Sequence, residues 1–163
     1  MAITSFREGY FFLSNFYPAA VKLDGIEYPT VEHAFQAAKT CERAVREAFL
    51  LPQYAKPGAA KRLGRSITLR KDWEEVKDFI MKRLLWDKFV ITSKNKLAHK
   101  LIETYPRQLI EGNTWGDRYW GAEEVRGQWI GQNKLGLMLM GVRDAIIELA
   151  QNVPPVDTRA RSR

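Results

Sequence analysis

The stretch Thr30-Val31-Glu32-His33-Ala34-Phe35-Gln36-Ala37-Ala38-Lys39 places a carboxylate, an amide and an amine at i, i+4 and i+7. On a helix, Glu32, Gln36 and Lys39 lie on one side and span about 10 Å at ~1.5 Å per residue. A carboxylate, an amide and an amine then point toward one volume. The same spacing also describes a solvated helix face with routine charges, and spacing alone leaves both readings open. His33 is expected to pack or hydrogen-bond locally. With His99 the only other histidine and Cys41 the only cysteine, neither a histidine nor a cysteine metal centre is expected.

A second group is Asn113-Thr114-Trp115-Gly116-Asp117-Arg118-Tyr119-Trp120-Gly121. Two tryptophans this close in a Gly-rich loop suit a rigid platform for a flat ring. Asp117 stands between them, where burial or neighbouring charge can tune its carboxyl. The alternative is an aromatic plug over the core. Downstream, Gly127, Gly131, Asn133 and Gly136 flank the start of the final helix. Free backbone N–H groups at such a helix start can hold a phosphate. A third group is Phe12-Leu13-Ser14-Asn15-Phe16-Tyr17-Pro18. Ser14 and Asn15 interrupt an aromatic run, either as a turn or as polar groups offered to a ligand between aromatic walls.

The elements that position these groups can be read from the rest of the chain. Its 163 residues are 45% hydrophobic and 28% charged, ordinary globular chemistry for one domain. No apolar run approaches the ~18 residues of a membrane span. The N-terminus lacks the basic start and long apolar stretch of a secretory signal, so no membrane association and a cytoplasmic location are expected. Lys and Arg number 26 against 19 acidic residues, a net charge of +7, a modest bias toward polyanions. Part of it lies in the tail, where Arg159, Arg161 and Arg163 face only Asp157. Residues 151–163, with Pro154-Pro155, are expected to be a disordered basic tail, leaving residues 1–150 as the folded domain.

Residues 10–29 are expected to be extended, with 21–23 and 26–28 flanking the hairpin signal Asp24-Gly25. Pro29 ends the hairpin, and Thr30 caps a helix from Val31 with Val31, Ala34, Phe35 and Ala38 as its apolar face. Short helices are expected over 42–51 and from Pro57 to about Gly64. A long helix should cover 72–90, with Trp73, Val76, Phe79, Ile80 and Leu84 on one face and its second half buried nearly all round. Residues 94–104 should be helical and 105–133 an ordered loop. The last helix, 134–150, should carry Leu135, Met138, Leu139, Val142, Ile146 and Leu149 as its core stripe. The fold class is α+β, mostly helical and compact, with a small N-terminal sheet.

In order along the chain stand FLSNFYP, the hairpin, P-T-x-E-H-x-F-Q-A-x-K, A-x-x-L-G-R, LRKDWEEVKDFIM, NTWGDRYWG and GQNKLGLMLMGVR. Together they resemble the NADAR family over about residues 5–150. The stretch Gly127–Gly136 departs from the family's tighter spacing at Gln128, Trp129 and Ile130. The resemblance implies a compact, mostly helical α+β domain without metal or other cofactor. It implies an N-glycosidase that cleaves between a ribose carbon and the nitrogen of a base or base-like amine. The expected substrate is a phosphoribosylamino-pyrimidine intermediate of riboflavin synthesis, or guanine in nucleic acid carrying ADP-ribose.

By the same resemblance Glu32, Lys39 and Asp117 match the family's catalytic positions. Ser14, Asn15, Phe16, Gln36, Arg65, Trp115, Gly116, Trp120, Asn133 and Gly136 are the substrate-binding candidates. The chemistry asks for such residues. An oxocarbenium-like state wants a carboxylate nearby, the leaving nitrogen needs a proton, and an opened sugar aldehyde can be captured by an amine. Lys39 is then the nucleophile, Glu32 the acid/base, and Asp117 a sugar-hydroxyl ligand or second acid, the last two roles being exchangeable. The competing expectation is a module that binds ADP-ribose or modified nucleic acid without turning it over.

Overall fold

A computed structural model describes residues 1–92 and 96–152. Asp24 and Gly25 both take positive φ, 48° and 82°, the backbone that a two-residue hairpin turn requires. Strands β1 (Val21–Leu23) and β2 (Ile26–Tyr28) therefore pair antiparallel, Val21 opposite Tyr28. Val21, Leu23, Ile26 and Tyr28 are buried while Lys22 and Glu27 face solvent, the alternation of a sheet covered on one side. Before the hairpin the chain departs from the expected extended form. Glu8–Leu13 winds as a 3₁₀ turn. Its aromatic residues have strand-like composition but no partner strand, and local bonds such as Tyr10 N–H to the Arg7 carbonyl close the turn instead.

Thr30 caps helix α1 (Val31–Ala37), its hydroxyl oxygen accepting from the His33 amide. Every residue of α1 is buried. Helices α3 (Pro57–Ser66) and α4 (Trp73–Trp86) pack against it, with β1 and β2 on a further side. Gly64 permits the close approach of α3, since a Cβ there would lie 1.9 Å from Gln36 Oε1. Between them, α2 (Arg43–Ala48) and a 3₁₀ turn at Pro52–Tyr54 carry the chain around.

The long helix continues from α4 into a π turn at Asp87–Ile91. Leu84, Leu85, Asp87, Lys88 and Phe89 are all buried, as expected for the second half, but Lys82 and Arg83 are exposed. Phe79, expected on the core face, is 69% exposed. It sits over Glu75, Lys82 and Arg83, its i−4, i+3 and i+4 neighbours, which are all on the solvent side. Helix α5 (Lys96–Ile102) follows, and positions 94–95 of the expected helix lie outside the described residues.

Residues 105–133 are not one loop. Strands β3 (Glu123–Val125) and β4 (Gln128–Ile130) form a second hairpin around Arg126 and Gly127, whose φ values are 52° and 78°. It lacks apolar alternation because both strands are largely exposed, and Arg126 holds a turn position that Asn or Asp usually advertises. Helix α6 (Lys134–Gln151) closes the fold, with Leu135, Leu139 and Val142 buried. Leu149 does not join this stripe. It is exposed together with Glu148 and Ala150, as the last turn projects past the core. Tail residues 153–163 lie outside the described residues. Among the described residues, no helix is long and apolar enough to cross a membrane.

Candidate active site

A cleft of about 540 Å³ opens between α1, the Ser14–Phe16 segment and the 111–120 loop. Glu32 and Gln36 of α1 line one wall, joined by Lys39 from the turn after the helix, which ends at Ala37 and so stops short of the expected i+7 position. The periodic stripe is therefore a cleft wall, not a solvated face. Glu32 is 6% exposed, and its Oε1 accepts from Gln36 Nε2 at 2.8 Å. The Glu32 amide donates to the Asn15 carbonyl at 3.0 Å, which fixes the Ser14–Phe16 segment to the first turn of α1. Lys39 Nζ donates to the Gly64 carbonyl at 3.2 Å. His33 serves the fold alone, as expected: Nδ1 meets Thr30 Oγ1 and Nε2 meets the Tyr54 carbonyl, each at 2.8 Å.

Burial sets the charge state of this wall. It raises the Glu32 carboxyl above the usual range, against the pull of Lys61, the Gln36 hydrogen bond, Lys39 and Arg65. It lowers the Lys39 amine, opposed by Glu32 and assisted by Lys61 and Arg65. Burial thus moves the acid toward keeping its proton and the amine toward releasing one, the directions that proton donation and nucleophilic attack ask for.

The two tryptophans of the opposite wall differ. Trp115 is 58% exposed at the cleft mouth. Trp120 is half-buried, edge-on to Phe35 with ring centroids 5.2 Å apart and edge-on to Tyr119 at 5.0 Å. One indole offers an open face and the other is a plug. The loop is braced by its own side chains. Asn113 Oδ1 accepts from the amides of Trp115 and Asp117, and Asp117 Oδ1 accepts from those of Tyr119 and Trp120 at 3.1 and 2.9 Å.

Ser14, Asn15 and Phe16 complete the cleft, with Lys61 Nζ 6.0 Å from the Phe16 ring centre. Arg7, Lys61 and Lys77 add positive charge to the lining. Two charged residues escaped the sequence reading. Glu111 lines the cleft, and burial, then Asp117, push its carboxyl up to about 7 against Lys61, Arg7 and Lys88. Lys88 is fully buried behind the Ser14–Phe16 segment, where Nζ donates to the Ser14 carbonyl at 2.8 Å. Burial lowers its amine to about 7. A lysine inside the apolar run Leu84–Val90 was a visible signal, whereas a lone carboxylate at 111 carries none. Three buried acceptors on cleft residues, Asn15 Oδ1, Gln36 Oε1 and Glu111 Oε2, have no partner among the described residues.

Four expected binding residues do not line the cleft. Arg65 is exposed outside it, its charge reaching Glu32 and Lys39. Gly116 turns the loop at φ 85° and donates its amide to Glu123. Asn133 directs its amide at main chain, Oδ1 accepting from the Glu111 amide at 3.0 Å and Nδ2 donating to the Leu109 carbonyl at 2.9 Å. Gly136 allows that approach, since a Cβ there would lie 2.1 Å from the Leu109 oxygen. The expected phosphate cradle is corrected likewise. The amides of Gln132, Asn133, Lys134 and Leu135 donate to the carbonyls of Arg118, Gly121, Tyr119 and Trp120. The start of α6 is thus a joint that seats the tryptophan loop. Among the described residues no group of His, Cys, Asp and Glu is placed to hold a metal ion.

Comparison with known proteins gives concordant matches. The NADAR domain family model matches residues 4–147. N-glycosidase YbiA of Escherichia coli is 38% identical over 135 residues, 82% of this chain and 79% of that protein. Riboflavin biosynthesis protein VVA0006 of Vibrio vulnificus is 33% identical over 145 residues, 88% of this chain and 37% of that longer protein. The NMR structure of the E. coli protein YbiA superposes with a TM-score of 0.77 and 34% identity, covering 96% of this chain and 93% of that one.

Proposed function

The chain belongs to the NADAR family, and from that premise we propose that it is an N-glycosidase whose nucleophile is Lys39. The enzyme hydrolyses the bond between C1 of a ribose and a base or base-like nitrogen. Its substrate is a phosphoribosylated aminopyrimidine of the riboflavin pathway, in keeping with the names of its relatives. The observation that carries this reading is the helical wall. Glu32 on α1 and Lys39, in the turn just past its end, both line the cleft, with burial lowering the amine and raising the acid.

In this reading the flat base stacks on Trp115, and the sugar lies over α1. The leaving nitrogen's lone pair expels the ring oxygen, to which Glu32 gives a proton. The Lys39 amine adds to C1, the bond from C1 to the base nitrogen breaks, and the base leaves as a free amine. Water then adds to the remaining imine, releasing the sugar as its aldehyde and restoring Lys39. Gln36 holds Glu32 in place. Asp117 takes a sugar hydroxyl, and Arg7 and Lys61 supply charge for the phosphate.

The test is direct. The protein is incubated with the phosphoribosylamino-pyrimidine and, separately, with DNA bearing ADP-ribosylated guanine, while free base is followed. Borohydride added during turnover should trap a protein–sugar adduct that peptide mapping places on Lys39. Release from the first substrate is expected. Release only from the second would move the substrate to nucleic acid, and binding of either without release would make the domain a reader. Turnover without any trappable adduct would return the reaction to carboxylate-assisted attack by water.

A further inference from the structure

Resting on the N-glycosidase reading, we infer that Glu111 is a further catalytic residue, which hands a proton from the loop wall to the departing nitrogen. Glu111 lines the same cleft as Glu32, Lys39 and Trp115. Its main chain is fixed on both sides, the amide donating to Asn133 Oδ1 at 3.0 Å and the carbonyl accepting from the Ala122 amide at 3.0 Å. Gly121 presses against it, so that a Cβ there would lie 2.2 Å from the Glu111 carbonyl oxygen and 3.2 Å from its Cγ. The carboxyl is thus held in place, and Oε2 is buried without a partner among the described residues.

The groups around it set its protonation. Asp117 faces it from the same loop and favours the acid form, as burial does. Lys61 of α3, Arg7 of the N-terminal segment and Lys88 of the π turn favour the ionised form. The balance near 7 leaves a proton to donate at neutral pH. Asp117, expected as a sugar-hydroxyl ligand or second acid, is placed differently. Two amides already direct their N–H groups at its Oδ1, and that oxygen is an acceptor.

The step balances. The electrons of the bond from C1 to the base go to the leaving nitrogen, which takes the Glu111 proton, while C1 stays on Lys39 as a protonated imine. Water then gives its oxygen to C1 and a proton to the Glu111 carboxylate. Collapse frees the aldehyde and the Lys39 amine, so the net reaction consumes one water.

A series of phosphoribosylated arylamines with leaving amines of graded basicity tests this, using wild type and Glu111→Gln. The variant should lose roughly 10²–10⁴-fold in kcat for the most basic leaving amine. The loss should shrink to a few-fold for the least basic, which departs without help. Wild-type kcat should fall above a pH of about 7, and Glu111→Gln should lack that limb. A loss equal across the series, or rates equal to wild type, overturns the inference and leaves the N-glycosidase reading intact. A wild type that cleaves none of the series overturns both. If the glutamine variant does not fold, Glu111→Asp replaces it: a displaced alkaline limb supports the assignment, and an unmoved one ends it.

Discussion

The two walls of the cleft present polar groups by opposite means. On α1 the helix itself sets the spacing of Glu32 and Gln36, because 3.6 residues make a turn, and Lys39 joins them from the turn just past the end of the helix. On the 111–121 loop nothing repeats. Asn113 and Asp117 within it, and Asn133 at the start of α6, each direct side-chain hydrogen bonds at backbone, and together they hold Glu111 and the two indoles in place. The first wall gains its rigidity from burial on every side, the second from amide and carboxylate braces. Chemistry concentrated on a helix survives small changes in its surroundings. Chemistry held by braces depends on each brace.

The contrast can be pushed hardest at Lys39. Lys39→Arg keeps the positive charge but stays protonated, and turnover and borohydride adduct should both vanish, as assayed by base release and mass spectrometry. Normal release would reduce Lys39 to an anchor. Glu32→Gln should lower kcat by about 10²-fold or more with the circular dichroism unchanged, and a fully active variant would take Glu32 out of the mechanism.

On the loop wall, the indoles should separate stability from binding. Trp120→Ala should destabilise toward the lower end of the ~3–5 kcal/mol seen for core aromatics, since the ring is half-buried against Phe35. Trp115→Ala should leave the denaturation midpoint level and weaken substrate binding by roughly 1–3 kcal/mol. Equal effects on both quantities from both changes would erase the distinction between platform and plug. Asn133→Ala should cost less stability than Trp120→Ala, about 1–3 kcal/mol from unpairing the Glu111 amide and the Leu109 carbonyl. Its signature is a raised KM or lowered kcat per folded molecule, because the loop that carries Glu111 loosens. Unchanged kinetics in that variant would show that the brace is dispensable.

The same contrast explains what could be read from the sequence. The hairpin at Asp24-Gly25, the Thr30 cap and the α1 stripe were legible because local rules govern them. The α+β class followed from helical periodicity over most of the chain. Phe79 misled because its neighbours' exposure depends on which side α1 and α6 approach α4. The β3–β4 hairpin was hidden by Arg126 in its turn and by strands with no buried face. Glu111 could not be picked out, since its surroundings come largely from residues distant in sequence: Lys61, Arg7 and Lys88. The expected phosphate cradle failed for a related reason, because only the folded loop reveals that the carbonyls of 118–121 already take the amides at the start of α6.

Lys88 has a consequence for how this protein is handled. The folded chain holds its amine fully buried, with a pKa near 7 instead of the ordinary 10.5. Between those values the unfolded chain carries a proton on Lys88 that the folded chain lacks, so folding at pH 8–9 expels a hydrogen ion into the buffer. The sign follows: this residue's contribution to stability is fully present above about 10.5 and is lost as the pH falls through about 7. Calorimetric unfolding at pH 8.5 in buffers of different ionisation heat should register that uptake, and Lys88→Met should abolish it. Storage on the mildly alkaline side of neutrality then favours the folded chain at this residue.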